Sequence, residues 1–265
     1  KNCVNQSKLK ISTRCHMSYH KFSVLNYRQN IVVVKIIHKT LLFYLLFCSG
    51  LYAQNNLESI DVTIKLQFNG KNIIKESNYI SAQKDTLTFE SIRFYLSKFE
   101  ILYTDKTKFV ESNSYHLVDF NHPESLKFSI RTDSKKEIET IQYAIGIDSL
   151  TSVSGAMDGD LDATKGMYWA WQSGFINLKI EGKSSSCTTR KNKFQFHVGG
   201  YLEPYYALRK MSLEVKNQVN NSIVLLVDLA KLLDRIALSE TNTIMIPGKE
   251  AMKIADLSIN MFSIE

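Results

Sequence analysis

Ile60-Asp61-Val62-Thr63-Ile64-Lys65-Leu66-Gln67-Phe68 alternates apolar and polar residues without a break. Successive side chains of a strand point to opposite faces, so Ile60, Val62, Ile64, Leu66 and Phe68 make one apolar face. The pattern predicts a half-buried β-strand, ended by the turn signal Asn69-Gly70. The same period returns along the chain. Phe94 and Leu96, then Phe99, Ile101 and Tyr103, predict a bent strand or a strand pair. Tyr115 to Phe120 and Ile141 to Ile145 predict two more, and further strands are expected over 167–181, 193–199, 209–216, 222–228 and 257–264. Only Asp228 to Asp234 has apolar residues at helical spacing, with Asp228 as its cap. Roughly ten strands with one short helix, and no repeat or linker, imply an all-β fold, an antiparallel β-sandwich.

The net charge of +7 does not belong to that domain. Residues 1–53 hold eight Lys or Arg and no Asp or Glu, which leaves 25 basic and 26 acidic residues beyond. The remainder has no basic stripe, so nucleic acid is not an expected partner. Lys35 and Lys39 precede an apolar run from Thr40 to Ser49, and Leu51-Tyr52-Ala53 offers a cleavage site before Gln54. That run is of signal-peptide length and too short to span a bilayer well. Residues 1–53 are therefore expected to be an export leader and 54–265 the mature domain, periplasmic or at the cell surface, without a membrane anchor. The bulky Phe47 argues against lipid attachment at Cys48. Cys187 is the single cysteine of the mature part, which excludes an internal disulfide and a CxxC metal motif.

Chemistry concentrates in Gly166-Met167-Tyr168-Trp169-Ala170-Trp171-Gln172-Ser173-Gly174-Phe175 and Phe196-His197-Val198-Gly199-Gly200. The first holds both tryptophans, the second one of three histidines beyond the leader. In 194–198 the apolar face is Phe194, Phe196 and Val198, so His197 lies on the other face with Gln195. His116 shares a face with Val118 and Phe120, while His122, beside Pro123, is expected in an exposed turn. Trp169 and Trp171 share a parity opposite to Ile176, Leu178 and Ile180. A bulge at Gly174 would turn the tryptophans into core, and a regular strand would place them in a cleft. Two imidazoles without thiolates suit copper better than zinc, which recruits three or four side chains. Asp158-Gly159-Asp160-Leu161-Asp162 fails as a calcium loop, because Trp169 stands where a Glu is needed. No GxSxG, P-loop or GxGxxG is present.

Together with Leu178-Lys179-Ile180-Glu181-Gly182, these two segments resemble the MbnP-like copper-binding family. Arg93-Phe94-Tyr95-Leu96-Ser97-Lys98-Phe99, Tyr115-His116-Leu117-Val118-Asp119 and Gly146-Ile147-Asp148-Ser149 extend the resemblance over most of 58–265. It implies an exported β-sandwich holding one copper ion, as Cu(I) or Cu(II). It also implies His116 and His197 as metal ligands, and Trp169 or Trp171 as the residue oxidised to a kynurenine that completes the cofactor site. A di-haem partner of the cytochrome c peroxidase type would perform that oxidation. The expected function is copper storage, delivery or sensing, not enzymatic. The alternative is a secreted interaction module that binds protein or glycan through exposed aromatic residues. It predicts both tryptophans exposed together and the two histidines far apart.

Overall fold

The computed structural model describes residues 39–40, 58–132, 136–155, 157–172, 174–216 and 221–265. The expected leader lies outside the described residues, apart from Lys39 and Thr40. Leu57–Glu265 forms a compact unit of its own. Its strands of three or more described residues are Glu58–Phe68 (β1), Thr86–Tyr103 (β2), Lys108–Val110 (β3), Tyr115–Asp119 (β4), Lys127–Thr132 (β5) and Ile138–Ile145 (β6). Gly174–Ser184 (β7), Lys193–Gly199 (β8), Arg209–Glu214 (β9), Ser222–Asp228 (β10) and Phe262–Ile264 (β11) follow.

β1 behaves as its alternation requires: Ile60, Val62, Ile64, Leu66 and Phe68 are all buried. Each such burial is worth about 2 kcal/mol. β1 pairs in parallel with β10 and antiparallel with β5, and β11 flanks β10. The second sheet is built on β2, which bends at Lys98 with φ of 55°. β7 runs against Leu87–Phe94, β6 against Leu96–Tyr103, and β4 against Arg93–Ser97. β8 pairs with β7 and β9 with β6, while Thr243–Ile244 joins β8 in parallel. The fold is thus an all-β sandwich with two parallel pairings in an otherwise antiparallel frame. The main core lies between the sheets, where Ile92, Phe94, Leu96, Phe99 and Ile101 of β2 meet the apolar face of β1.

Among the described residues of this unit, three segments are α-helical: Ser149–Ser154 (α1), Ala230–Leu233 (α2) and Lys249–Ser258 (α3). α2 lies within the expected helix, and Asp228 Oδ1 accepts from Ala230 N at 3.1 Å. α3 takes the start of the strand expected over 257–264, which shrinks to β11. Its buried face is Ala251, Ile254, Ala255 and Ser258, at helical spacing. Two alanines and a serine are too weakly apolar for that period to stand out in the sequence.

The strand expected over 167–181 also divides. Tyr168–Trp169 pairs with Gly174 and Phe175 across a turn. A bulge does follow, but at Asn177 instead of Gly174: Ile176 opposes Gly199 while Leu178 opposes Val198. The extra residue exchanges the faces of its neighbours. Leu178 and Ile180 join the main core. Phe175 and Ile176 instead enter a second core with Tyr95, Leu117, Ile147, Leu161, Met167 and Trp169. Tyr95 lies between Phe94 and Leu96, so this second core covers the opposite, outer face of the sheet. Gly146 permits the crossing. Its φ is 108°, and a Cβ there would stand 2.3 Å from Asn177 Nδ2, whose Oδ1 accepts from Ile147 N at 3.0 Å. Both cores lie inside Leu57–Glu265, so this unit carries the packing it needs to fold alone.

Candidate metal centre

Each of the three described imidazoles is held by a carboxylate. His116 on β4 faces the main core, where its ring stacks on Phe128 at 3.9 Å and meets Phe99 edge-on at 5.5 Å. Its Nε2 lies 2.9 Å from Glu111 Oε2. His122 caps the short turn Pro123–Leu126 and keeps 62% of its side chain exposed, with Nδ1 at 2.9 Å from Asp119 Oδ2. The exposed turn expected there is present. His197 on β8 is 7% exposed, and its Nε2 lies 2.7 Å from Glu181 Oε1.

The Glu181 carboxyl feels its neighbours strongly. The hydrogen bond from His197 holds the Glu181 carboxyl at about 2, against an ordinary 4.5, with help from Lys179 and in spite of partial burial. Glu181 also lies 3.7 Å from Lys179 Nζ and accepts from Gln195 Nε2 at 3.4 Å. Across the strands His197 opposes Lys179, Lys179 opposes Arg93, and Arg93 opposes Asp119. Two cations thus sit side by side at the middle of this row. Arg93 Nε approaches Asp119 Oδ2 to 3.0 Å as an ion pair, although its N–H is not aimed at a hydrogen-bond acceptor. Arg93 Nη1 donates to Lys165 O at 2.9 Å.

The same registers place His116 and His197 apart. His197 is three strands from Asp119, and His116 lies three residues before Asp119 on β4. Strand spacing and rise put their Cα atoms about 17 Å apart. The odd offset also sends the two rings to opposite faces of the sheet. One ion cannot bridge them, so the pair does not fit the centre that the family resemblance implies. Among the described residues, no three His, Cys, Asp or Glu side chains converge as a metal cage would require.

The tryptophans part company as well. Trp169 is 7% exposed, with its ring against Gly199, where a Cβ would stand 2.7 Å from Cζ3. It therefore lies on the outer face two residues beyond His197, away from His116. Trp171 leaves the strand and is 64% exposed, its ring centroid 5.6 Å from that of Trp169.

A different pair of imidazoles shares a cavity. His116 and His122 both line a cleft of about 540 Å³ along the edge strand β4, with Asp119, Glu124, Lys127 and Phe128. The cleft runs around the sheet edge: Arg93, Asp119 with the His122 it anchors, Asp160 and Lys165 line it from the outer face, and His116 with Phe128 from the inner. Asp160 Oδ2 and Ser125 Oγ accept from Leu117 N and Asp119 N at 3.0 and 2.8 Å, capping outward amides of β4. The carboxylate anchors leave His116 Nδ1 and His122 Nε2 as the ring atoms still available to a ligand. Sequence reasoning missed the anchors themselves. Glu181 could have been found, since it lies in a quoted motif on a strand of matching parity. Glu111 sits in a loop and carries no pattern.

Comparison with known proteins places the fold. The structure is similar to that of MbnP from Methylosinus trichosporium, with a TM-score of 0.50 over 70% of this chain and 78% of that one, at 12% identity. That likeness is one of fold. No curated protein matches the sequence. The family model for MbnP matches residues 58–246, from the first residue of β1 to just before α3. The chain belongs to the MbnP family.

Proposed function

We propose that the protein is exported and handles copper by binding it, for storage, delivery or sensing, without catalysing a reaction. Family membership supports the link to copper, and the leader with its apolar run supports export to the periplasm or cell surface. The observation that carries the reading is the edge cleft, where two imidazoles each keep one ring nitrogen free and fix the other on a carboxylate. Metal-bound histidines are usually held in this way, because the outer hydrogen bond orients the ring and makes it a better donor. Imidazole without thiolate favours copper in the general order of divalent affinities. In this reading His116 and His122 hold the ion, and His197 with Glu181 braces the outer face. Where a di-haem partner oxidises a tryptophan of this chain, its exposure in the single chain makes Trp171 the residue that partner reaches.

Copper stoichiometry tests this on residues 54–265, beside His116→Ala, His122→Ala and His197→Ala. The expected result is one bound copper, lost or weakened at least about tenfold in the first two variants and unchanged in the third. Loss in His116→Ala and His197→Ala, with His122→Ala unaffected, would restore the pair named by the family resemblance. Absence of bound copper in the unsubstituted protein would end the copper reading. Intact mass on the same samples reports whether a tryptophan has been oxidised.

A further inference from the structure

Large apolar side chains stand in water around one end of the outer face: Leu150 at 79% exposure, Val153 at 67%, Trp171 at 64%, Leu202 at 62% and Ile246 at 60%. The segments that carry them meet. Ser149 Oγ donates to Tyr201 O at 2.5 Å, which ties α1 to the short strand Tyr201–Leu202. Gln172, Leu202 and Pro247 line one small cleft of about 110 Å³, beside Trp171 and Ile246 in the chain. Gly200, Tyr201, Glu203 and Tyr205 complete it. Single exposed apolar residues are ordinary, but a cluster of them marks an interface. Trp171 is also held in place, against Trp169 and by the turn in which Gln172 N donates to Trp169 O at 3.3 Å. A side chain ordered before contact loses little entropy on binding.

We propose that this end joins two copies of the chain in a two-fold dimer, with Trp171 of one copy packing across the mouth of the Gln172–Leu202–Pro247 cleft of the other. A projecting ring beside a recess on one surface is what an isologous contact needs, because each copy then offers both halves. Among the cleft-lining residues, Glu203 is the only charged one, so the contact sets one like-charge pair against a mostly apolar surface. The five exposed side chains amount to on the order of 600 Å² per copy, and a polar rim brings this near the ~800 Å² per partner of a standard interface. Aromatic anchors dominate such contacts, so Trp171 carries most of the affinity.

The chain has two tryptophans. Trp169 is buried already, so emission on self-association reports Trp171. Sedimentation velocity on residues 54–265 over micromolar to submillimolar concentrations should show monomer giving way to dimer. Tryptophan emission should shift to the blue over the same range. Trp171→Ala and Leu202→Ser should each weaken association at least about tenfold while leaving the circular dichroism unchanged. A monomer at every concentration overturns the proposal. So does a dimer indifferent to both variants, which would use another surface. A blue shift that appears only with phosphatidylcholine or phosphatidylglycerol vesicles, while the protein sediments as a monomer, overturns it in favour of a lipid surface.

Discussion

The two faces of β2 are made from alternate residues of one strand, and they are different in kind. Ile92, Phe94 and Leu96 face inward and belong to the main core. Ser91, Arg93, Tyr95 and Ser97 face outward, towards the polar row that runs from His197 to Asp119 and the small core around Trp169. The inner face is a continuous apolar surface clamped between two sheets. The outer face mixes ion pairs with eight buried apolar residues, six of them laid down by a segment that starts at Gly146 and returns through the Asn177 bulge. Many of the residues that carry the family resemblance point outward: Arg93, Tyr95, Leu117, Asp119, Met167, Trp169, Glu181 and His197. The inner face accounts for the sandwich, and the outer face for much of what distinguishes this sandwich from others.

The largest test of that difference is Trp169→Ala. Emptying a buried indole site costs about 3–5 kcal/mol, so urea unfolding of the variant should show a loss of that size. Phe94→Ala should cost a similar amount from the inner face. The two should differ in hydrogen exchange. Trp169→Ala should release amides of 147–172 well before those of β1 and β2, because only the outer segment depends on the second core. Phe94→Ala should bring all of them closer to global unfolding together. Uniform loss in both variants would mean that the two faces form one cooperative unit.

Much of the inner face was legible and much of the outer was not, for a physical reason. Period two is enforced wherever one face is buried between sheets, so β1, β2 and β4 were readable from alternation, while β10, apolar without a break from Ile223 to Val227, was readable only as an apolar run. The parity of His197 against Phe194, Phe196 and Val198 was readable too. Which face His116 takes relative to His197 depends on strand order and on where bulges fall. Neither leaves a local mark: Asn177 is an unremarkable residue in a strand pattern, yet it decides that Phe175 and Leu178 serve different cores. The same applies to His122. Its exposed turn was evident from Pro123, but the cleft it shares with His116 exists only once β4 lies at a sheet edge. α3 escaped because its buried face is mostly small.

Glu181→Gln gives the next effect, smaller and dependent on pH. Lys179 and Arg93 stand directly opposite one another, and like charges so placed repel. Glu181 offsets this beside Lys179, and Asp119 does so beside Arg93. The folded protein holds the Glu181 carboxyl at about 2, below its ordinary 4.5. A depressed carboxyl adds stability above the unfolded value and loses it as protons bind, so this contribution should be complete above about pH 4.5 and fade towards pH 2. The carboxylate side chain keeps 21% of its surface exposed, which lowers the full linkage value to about 2 kcal/mol. Glu181→Gln should therefore destabilise by about that amount at pH 7 and by much less at pH 2.5, measured by urea unfolding at both. A loss that is the same at both pH values would assign the residue a packing role in place of a charged one.

The smallest effect should come from Trp171→Ala, and it is the sharpest comparison because its neighbour two residues away gives the largest. Both indoles touch, with ring centroids 5.6 Å apart, yet one is 7% exposed and the other 64%. Stability follows the area taken from water on folding. Trp171 has kept most of its area in water, so its removal should change the unfolding free energy by less than about 0.5 kcal/mol. The measurement belongs at sub-micromolar concentration, where self-association adds nothing. A loss of 2 kcal/mol or more there would make Trp171 part of the second core. The outer face would then be better packed than its exposure indicates, and the apolar end would lose its anchor as an interface.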